Sequence, residues 1–347
     1  MKMDKPGRDV AAAGLLPAEL AEIFSLKPPF RGRQVFKWIS RGARSFAEMS
    51  DLPAEDRSRL SAEPLFTTRV AESLAGDDGS VKLKLRLRDG AAIESVLLTD
   101  VEGRMTACLS TQVGCAMGCT FCKTGTLGLL RNLGPDEIVE QYLELAALRG
   151  KPSNIVFMGM GEPLLNLEAV RRSIAVFMHP DGFAISHRKI TISTCGIVPG
   201  IRDLADEGPH VRLAVSMTAA SDTLRSALMP VNRSWNLASL KDALLYYQAR
   251  TGDRITLEAA IMGGENSSLQ SAKAMADWIR PLNVQVNVIP WNPVPGLPYH
   301  EPVRGEAAAF EADLERLGIN AVRRARRGRG VAGACGQLGD TLGAAEP

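Results

Sequence analysis

The chain has 347 residues, of which 45% are hydrophobic and 23% charged, and its formal net charge is +2. These values belong to an ordinary folded protein of one large domain with an appendage, or of two domains, and exclude a disordered or strongly polyionic chain. Near-neutral net charge argues neither for nor against nucleic acid, so only the distribution of charge can speak to that partner.

The opening stretch MKMDKPGRDVAAAGLLPAEL holds one short apolar patch, containing Gly14 and interrupted by Pro17. It lacks a secretory h-region, and no run approaches the roughly 20 apolar residues of a membrane span. A cytoplasmic protein is expected. Thiols stay reduced there, so six cysteines point to metal or redox chemistry rather than to a structural disulfide framework.

Residues 15–62 read as helical, in the segments LPAELAEIF, RGRQVFKWIS and SFAEMSDLPAEDRSRL. Ser50 or Asp51 is placed to cap the last of them, with Pro53 near its first turn. Helical spacing puts Val35, Trp38 and Ile39 on one face. Lys27, Arg31, Arg33, Lys37, Arg41 and Arg44 make the segment basic, which fits either a solvated helix surface or RNA contact. SVKLKLRLRDG then alternates strictly, the pattern of a half-buried strand, and AAIESVLLTD and RMTACLS follow as strands. A boundary near residue 75 divides the chain into a helical accessory domain (1–75), the candidate for RNA binding, a barrel with extension strands and a C-terminal segment (76–339), and a tail (340–347).

From residue 110 strands and helices alternate. DEIVEQYLELAAL, LEAVRRSIAVFM, SLKDALLYYQARTG, SLQSAKAMADWIRPL and EAAAFEADLERLG are helical. NIVFMGMG, KITISTCG, VRLAVSM, RITLEAAIMGG and VQVNVIPWNP are strands. This order predicts an α/β fold with a parallel sheet. About six units favour a partial (β/α)6 barrel over a full eight-unit TIM barrel, with reactive loops at the C-terminal strand ends.

The strongest chemical signal is Cys115-Ala-Met-Gly-Cys119-Thr-Phe-Cys122. Three thiolates this close can converge on one metal centre. A structural zinc site normally takes four Cys or His ligands, and His179, His187, His210 and His300 are all remote in sequence. An iron–sulfur cubane accepts thiolates, and three ligands leave one iron open, so the cluster is the favoured reading over zinc. Downstream, FMGMGEP places Gly159, Gly161 and Glu162 at a strand end, where glycines permit close backbone approach to a ligand.

The C-x3-C-x2-C spacing resembles that of the radical S-adenosylmethionine (SAM) superfamily. That resemblance implies a [4Fe-4S] cluster on Cys115, Cys119 and Cys122, SAM chelated by the open iron, and reductive cleavage of SAM to a deoxyadenosyl radical. The chain is more closely similar to the RlmN family of adenosine C2 methyltransferases and the related C8-modifying Cfr enzymes. The matching stretches are SFAEMSDLP, STQVGC, RNLGPDEI, FMGMGEPLLN, STCGIVP, RSALMPVN, VIPWNPVPG and ACGQL, from about residue 30 to residue 339. The resemblance carries SAM contacts to Gly161, Glu162, Ser193, Ser216, Met217, Thr218 and Asn292. It makes Cys335 the methyl carrier, loaded from one SAM and activated by a second. Cys108 then resolves the RNA–protein adduct through a transient disulfide, and Glu94 accepts the proton. Without the resemblance, Cys335 reads as a small buried hydrophobe and Glu94 as a surface strand residue. Cys195 reads as a packing cysteine. The Arg323–Arg329 run is placed to lower the Cys335 pKa if it folds nearby.

The implied partners are 23S rRNA, with tRNA as a second candidate substrate, and an external electron donor, acting on a monomer without a membrane. Three departures stand out. Thr218 replaces a usual histidine, GRGVAGACGQL replaces an acidic approach to the carrier, and GENS replaces a GVND-like turn. The competing readings are a C8-specific enzyme, a radical SAM enzyme with another substrate, and a zinc-bearing RNA-binding module.

Overall fold

The computed structural model describes residues 11–339, so the expected tail at 340–347 lies outside the described residues. Three helices come first: α1 (Pro17–Ile23), α2 (Arg31–Ser40) and α3 (Ala54–Arg59). Val35 and Ile39 of α2 are buried as their spacing requires. Neither Ser50 nor Asp51 caps α3, whose N-cap is Pro53 with no side-chain cap. Asp51 is engaged elsewhere, accepting the Trp38 indole N–H at 2.6 Å. The helical segment is docked rather than free-standing. The Ala11 N–H donates to the Asp136 carboxylate at 2.9 Å, and the Arg44 guanidinium to Glu144 at 3.0 Å. Leu20, Phe36 and Phe46 share one buried apolar cluster with Ile155 and Phe177 of the later chain.

The strands β1 (Arg69–Ala75), β2 (Val81–Arg86), β3 (Ala92–Thr99) and β4 (Met105–Cys108) pair antiparallel in sequence order. The β2–β3 hairpin turns through Asp89-Gly90, where Gly90 has φ +84°, a conformation that favours glycine. After β4 the chain makes a ribbon that the motif reading does not anticipate, of β5 (Gln112–Cys115) and β6 (Gly128–Asn132).

The remaining elements are α4 (Pro135–Arg149), β7 (Asn154–Phe157), α5 (Leu167–Met178), β8 (Ile190–Thr194), α6 (Val198–Glu207), β9 (Arg212–Ser216), α7 (Asp222–Leu228) and α8 (Leu237–Thr251). They end with β10 (Ile255–Ile261), α9 (Leu269–Ile279), β11 (Val284–Pro290), α10 (Glu306–Arg316) and β12 (Ala321–Arg323). Strands β4-β7-β8-β9-β10-β11-β12 lie in that order and pair in parallel, so the ten-stranded sheet is antiparallel at one end and a six-unit partial barrel at the other. The expected (β/α)6 architecture is the observed one.

Strand burial shows what is unlike a closed barrel. On β8, Ile190, Ile192 and Thr194 are buried while Thr191 and Ser193 are half-buried; on β11, Asn287 and Ile289 are half-buried between buried neighbours. In a closed TIM barrel inward side chains fill a packed core. Here the small and polar ones leave the interior open, and that space is the site. Among the described residues, no helix is long and apolar enough to cross a membrane.

Candidate active site

The cysteine loop follows directly from β5, whose last residue is Cys115. It closes by an unusually tight backbone path. Gly118 has φ +62°, and a Cβ on Gly125 would lie 2.7 Å from the Cys119 carbonyl. The loop is moored on two sides, with Thr120 N–H donating to Leu228 O at 3.0 Å and the Trp291 indole N–H to Phe121 O at 2.9 Å. Cys115, Cys119 and Cys122 all face one cavity of about 180 Å³. Burial pushes each thiol up, Cys115 to about 12, and for Cys119 the two neighbouring thiols add to the rise.

Among the described residues, no three His, Cys, Asp or Glu side chains are arranged to close on a single metal ion. The three thiols line one cavity without meeting at a single ion position. A cubane takes each thiolate on a different iron, so it asks for this arrangement rather than for convergence on a point.

The other wall of the cavity is polar. Gly159, Gly161, Glu162, Ser193, Ser216, Thr218 and Asn292 all line it. Glu162 is 3% exposed, and its two oxygens accept the N–H groups of Leu164 at 3.0 Å and Cys195 at 2.8 Å. Burial raises its pKa, and those N–H bonds oppose the rise. Gly161 has φ +101°, and a Cβ there would meet Gln112 at 2.6 Å. The strand end therefore packs against β5 with no room for a side chain. The buried oxygens Thr218 Oγ1, Asn292 Oδ1 and Glu258 Oε2 have no partner. A buried acceptor without a donor costs about 1–3 kcal/mol, and three on one wall match a ligand rich in N–H and O–H groups. SAM, with an ammonium, ribose hydroxyls and an adenine amine, is such a ligand.

Met217 does not reach the wall. Its side chain is fully buried in the core, and its N–H donates to the Glu258 carbonyl at 2.8 Å. Cys195 lines the cavity and also packs in the core; its backbone N–H holds Glu162.

Cys335 lies where this cavity meets a second one of about 330 Å³. Cys335, Met158, Ile289 and Asn292 line both, and Cys108 lines the second together with Arg324, Arg326 and Arg327. Cys335 is exposed, against the bland expectation of a buried hydrophobe, and what it is exposed to is the cleft. Surrounding protein still raises its pKa by desolvation, a rise that Arg324 opposes. Burial pushes Cys108 up to about 12, the neighbouring Cys335 adds to this, and Met158 N–H and Arg324 work against it. All six cysteines are free thiols, so no disulfide joins Cys108 to Cys335 in this structure. The segment bearing Cys335 touches the cysteine loop, with Lys123 N–H donating to Gly336 O at 2.8 Å and Thr124 Oγ1 to Leu338 O at 2.7 Å.

Glu94 is on neither cavity wall. It is 1% exposed on β3, pairs with Lys82 and accepts the Gly339 N–H. The basic N-terminal residues also divide. Arg31 pairs with Asp56 at 2.7 Å and Arg44 with Glu144, whereas Arg33 and Lys37 of α2 and Arg41 at its C-cap, spaced four residues apart, line an open groove with Lys151.

Two charged residues were given no role by the sequence, although Arg225 opens the matching stretch RSALMPVN. Glu258 on β10 is 7% exposed, accepts from Asn287 Nδ2 at 3.0 Å and stands 3.6 Å from Arg324. Its signal is a lone carboxylate inside the apolar strand RITLEAAIMGG. Arg225 on α7 is fully buried and donates to the carbonyls of Cys195 at 2.8 Å and Ser216 at 3.1 Å, holding the ends of β8 and β9 together behind the cysteine loop.

A parallel (β/α)6 sheet opening on three clustered thiols defines a radical SAM enzyme, and the radical SAM superfamily model matches residues 109–279. The chain is 49% identical over 334 residues to the probable dual-specificity RNA methyltransferase RlmN of Treponema pallidum strain Nichols, covering 96% of this chain and 98% of that one. It is 43% identical over 330 residues to the dual-specificity RNA methyltransferase RlmN of Anaeromyxobacter sp. strain Fw109-5, covering 92% and 87%. A crystal structure of a radical SAM methyltransferase from Sphaerobacter thermophilus superposes with a TM-score of 0.90 at 39% identity, over 95% of this chain and 99% of that one. The chain belongs to the RlmN family of SAM-dependent RNA methyltransferases.

Proposed function

We propose that this enzyme methylates C2 of an adenosine in 23S rRNA, and also in tRNA, using Cys335 as the methyl carrier. The observation that carries the reading is the position of Cys335, shared by the thiol-lined cavity and the arginine-lined one, with Cys108 on the wall of the second. When bound on Cys115, Cys119 and Cys122, a [4Fe-4S] cluster with SAM supplies an electron and a carbon-centred radical. Glu162 holds the SAM ammonium, the FMGMGEP turn lets its backbone approach, and Ser193, Ser216, Thr218, Asn292 and Glu258 take the remaining donors. Two SAM are used per turnover, one as methyl source and one as radical source.

An adenine C2 has no lone pair with which to attack a methyl sulfonium, which is why a carrier is needed. Cys335 presents its methyl group at the junction, where the methyl gives up one hydrogen atom to the SAM-derived radical; the carbon then bonds to the base, and the adduct releases one electron to a one-electron acceptor, a role the oxidised cluster would fill when bound. The ring proton passes to solvent in the open cleft; Glu94, the acceptor that the resemblance implies, is held off both cavities by Lys82 and Gly339 and is not placed to take it. The Cys108 thiolate then attacks the Cys335 sulfur, the sulfur–carbon bond breaks with its electron pair going to carbon, and that carbon takes a proton to become methyl. The resulting disulfide needs an external dithiol, and the cluster an external electron donor. Arg327, beside Arg324 and Arg326 in their pairs with Glu258 and Glu301, gives the outer cavity positive charge to receive a phosphodiester substrate. The α2 groove adds phosphate contacts, residues 76–339 hold the chemistry, and the enzyme works as a cytoplasmic monomer.

Removing the two thiols separately tests this. Cys108→Ala should accumulate a denaturant-stable protein–RNA adduct, while Cys335→Ala and the double variant should form none. Turnover in both single variants with no trapped RNA would sink the carrier mechanism, and methylation at C8 in product digests would favour the Cfr-like reading.

A further inference from the structure

The segment that carries Cys335 crosses one face of the β2–β3 hairpin, and a buried ion pair lies beneath it. Lys82 Nζ stands 2.9 Å from Glu94 Oε1, with side chains 5% and 2% exposed. The two are not opposite in the ladder, which pairs Lys84 with Glu94 and Lys82 with Val96, so Lys82 reaches diagonally past the nearer lysine. Lys82, Lys84 and Arg86 share the polar face of β2, and they run from buried through half-buried to exposed. The covered end is the one beneath the Cys335 segment, where a Cβ on Gly333 would touch the Val96 methyls at 3.3 Å.

The pair meets the segment on both sides of Cys335. Lys82 Nζ reaches the Ala332 carbonyl at 3.5 Å, the long limit of a hydrogen bond, and Glu94 Oε2 accepts the Gly339 N–H at 2.7 Å. Ala332 holds φ +47°, a conformation that a residue with a Cβ keeps only where its surroundings over-determine it. A buried ion pair is a weak source of net stability, because desolvation offsets most of its attraction and a hydrophobic pair would close the hairpin as well. What this pair supplies that a hydrophobic one would lack is a spare donor and a spare acceptor for the two flanks of Cys335.

We infer that Lys82 is a positioning residue for the methyl carrier. Through Glu94 and Ala332 it clasps residues 332–339, so that Cys335 stays at the junction of the two cavities. The importance of the clasp rests on the carrier role of Cys335; its existence does not.

Amide hydrogen exchange of the full-length protein, followed by mass spectrometry, reads the clasp directly. In Lys82→Met the peptide spanning 332–339 should exchange about tenfold faster, the factor set by 1.4 kcal/mol of local opening, while peptides of β8 keep their rates. Lys82→Arg should restore protection. Lys82→Met leaves Glu94 buried without a counter-charge, so Lys82→Met/Glu94→Gln is measured beside it and should exchange as fast in that peptide. In cluster-reconstituted enzyme, Lys82→Met should bind SAM normally and load methyl on Cys335 more slowly. Exchange of 332–339 within twofold of the unaltered protein in the double variant overturns the clasp, as does a parallel rise in β8. If the clasp result holds while Cys335→Ala retains methylation, the carrier reading fails and the clasp stands.

Discussion

Replacing Glu162 by Gln probes the cofactor wall at a group whose partners are already in place. Its two oxygens accept from Leu164 N–H at 3.0 Å and Cys195 N–H at 2.8 Å. Glutamine offers an acceptor at only one of these positions and turns its NH2 toward the other N–H. One charge-assisted bond, worth about 1.5–3 kcal/mol, is lost, and a buried donor is left facing a donor at about 1–3 kcal/mol more. Allowing for relaxation, the protein should lose roughly 2–4 kcal/mol of unfolding free energy. The same carboxylate is assigned the SAM ammonium. Loss of that one charge-assisted bond weakens SAM roughly 10- to 150-fold. Equilibrium dialysis of SAM against the cluster-reconstituted variant, with denaturant unfolding in parallel, measures both quantities. SAM affinity within threefold of the unaltered enzyme, in a variant that has lost stability, refutes the ammonium assignment. Unchanged stability refutes the reading of the two N–H bonds as the anchor of the turn.

Neutralising Arg33, Lys37 and Arg41 together should flatten the salt dependence of RNA affinity by roughly 2 to 3 in log–log slope, since each phosphate contact contributes about 0.7–0.9. Neutralising Arg31 and Arg44, already paired with Asp56 and Glu144, should leave the slope alone; equal effects from the two sets would remove the groove from the RNA path. Glu140 gives a pH test. Burial raises its pKa from 4.5 to about 7, against the opposing bonds from Thr68 and Thr67, so the folded state binds this proton more tightly than the unfolded chain. Its contribution is full below pH 4.5 and is lost as pH rises through 7, by at most about 3 kcal/mol. Unfolding of wild type and Glu140→Gln at pH 5 and pH 8 should diverge in that sense, and parallel changes contradict it.

Much of the fold was legible because the barrel half writes its period into the sequence. Segments such as KITISTCG and SLKDALLYYQARTG are long enough to show whether apolar residues recur every two positions or every three to four. The β5–β6 ribbon was not legible. Its strands are short, and one of them runs straight into the cysteine motif, so the motif masked the strand. The α3 cap failed for a different reason: Asp51 has a local preference for capping, and the Trp38 indole, distant in sequence, claimed it instead.

The site divides along the same line. Cys115, Cys119 and Cys122 lie close together in the chain, so spacing alone announces them, and Gly161 with Glu162 sits in a recognisable strand-end turn. Glu258 is a lone charge in an apolar strand, Arg225 opens a matching stretch that says nothing of its partners, and Lys82 is one of three basic residues on β2; nothing next to them in the chain says what they meet. The alternation of SVKLKLRLRDG illustrates the limit. It assigns Lys82 and Lys84 to one polar face, but whether that face meets water or protein depends on a segment some 250 positions away. Two lysines with equivalent sequence surroundings thus end in different environments, one buried under the carrier segment and one half-buried beyond it. Period reports which side of a sheet a residue takes; only the folded chain reports what covers that side. Here the cover is the segment bearing Cys335, and the polar face that local pattern assigns to solvent becomes the floor that holds the reactive thiol in place.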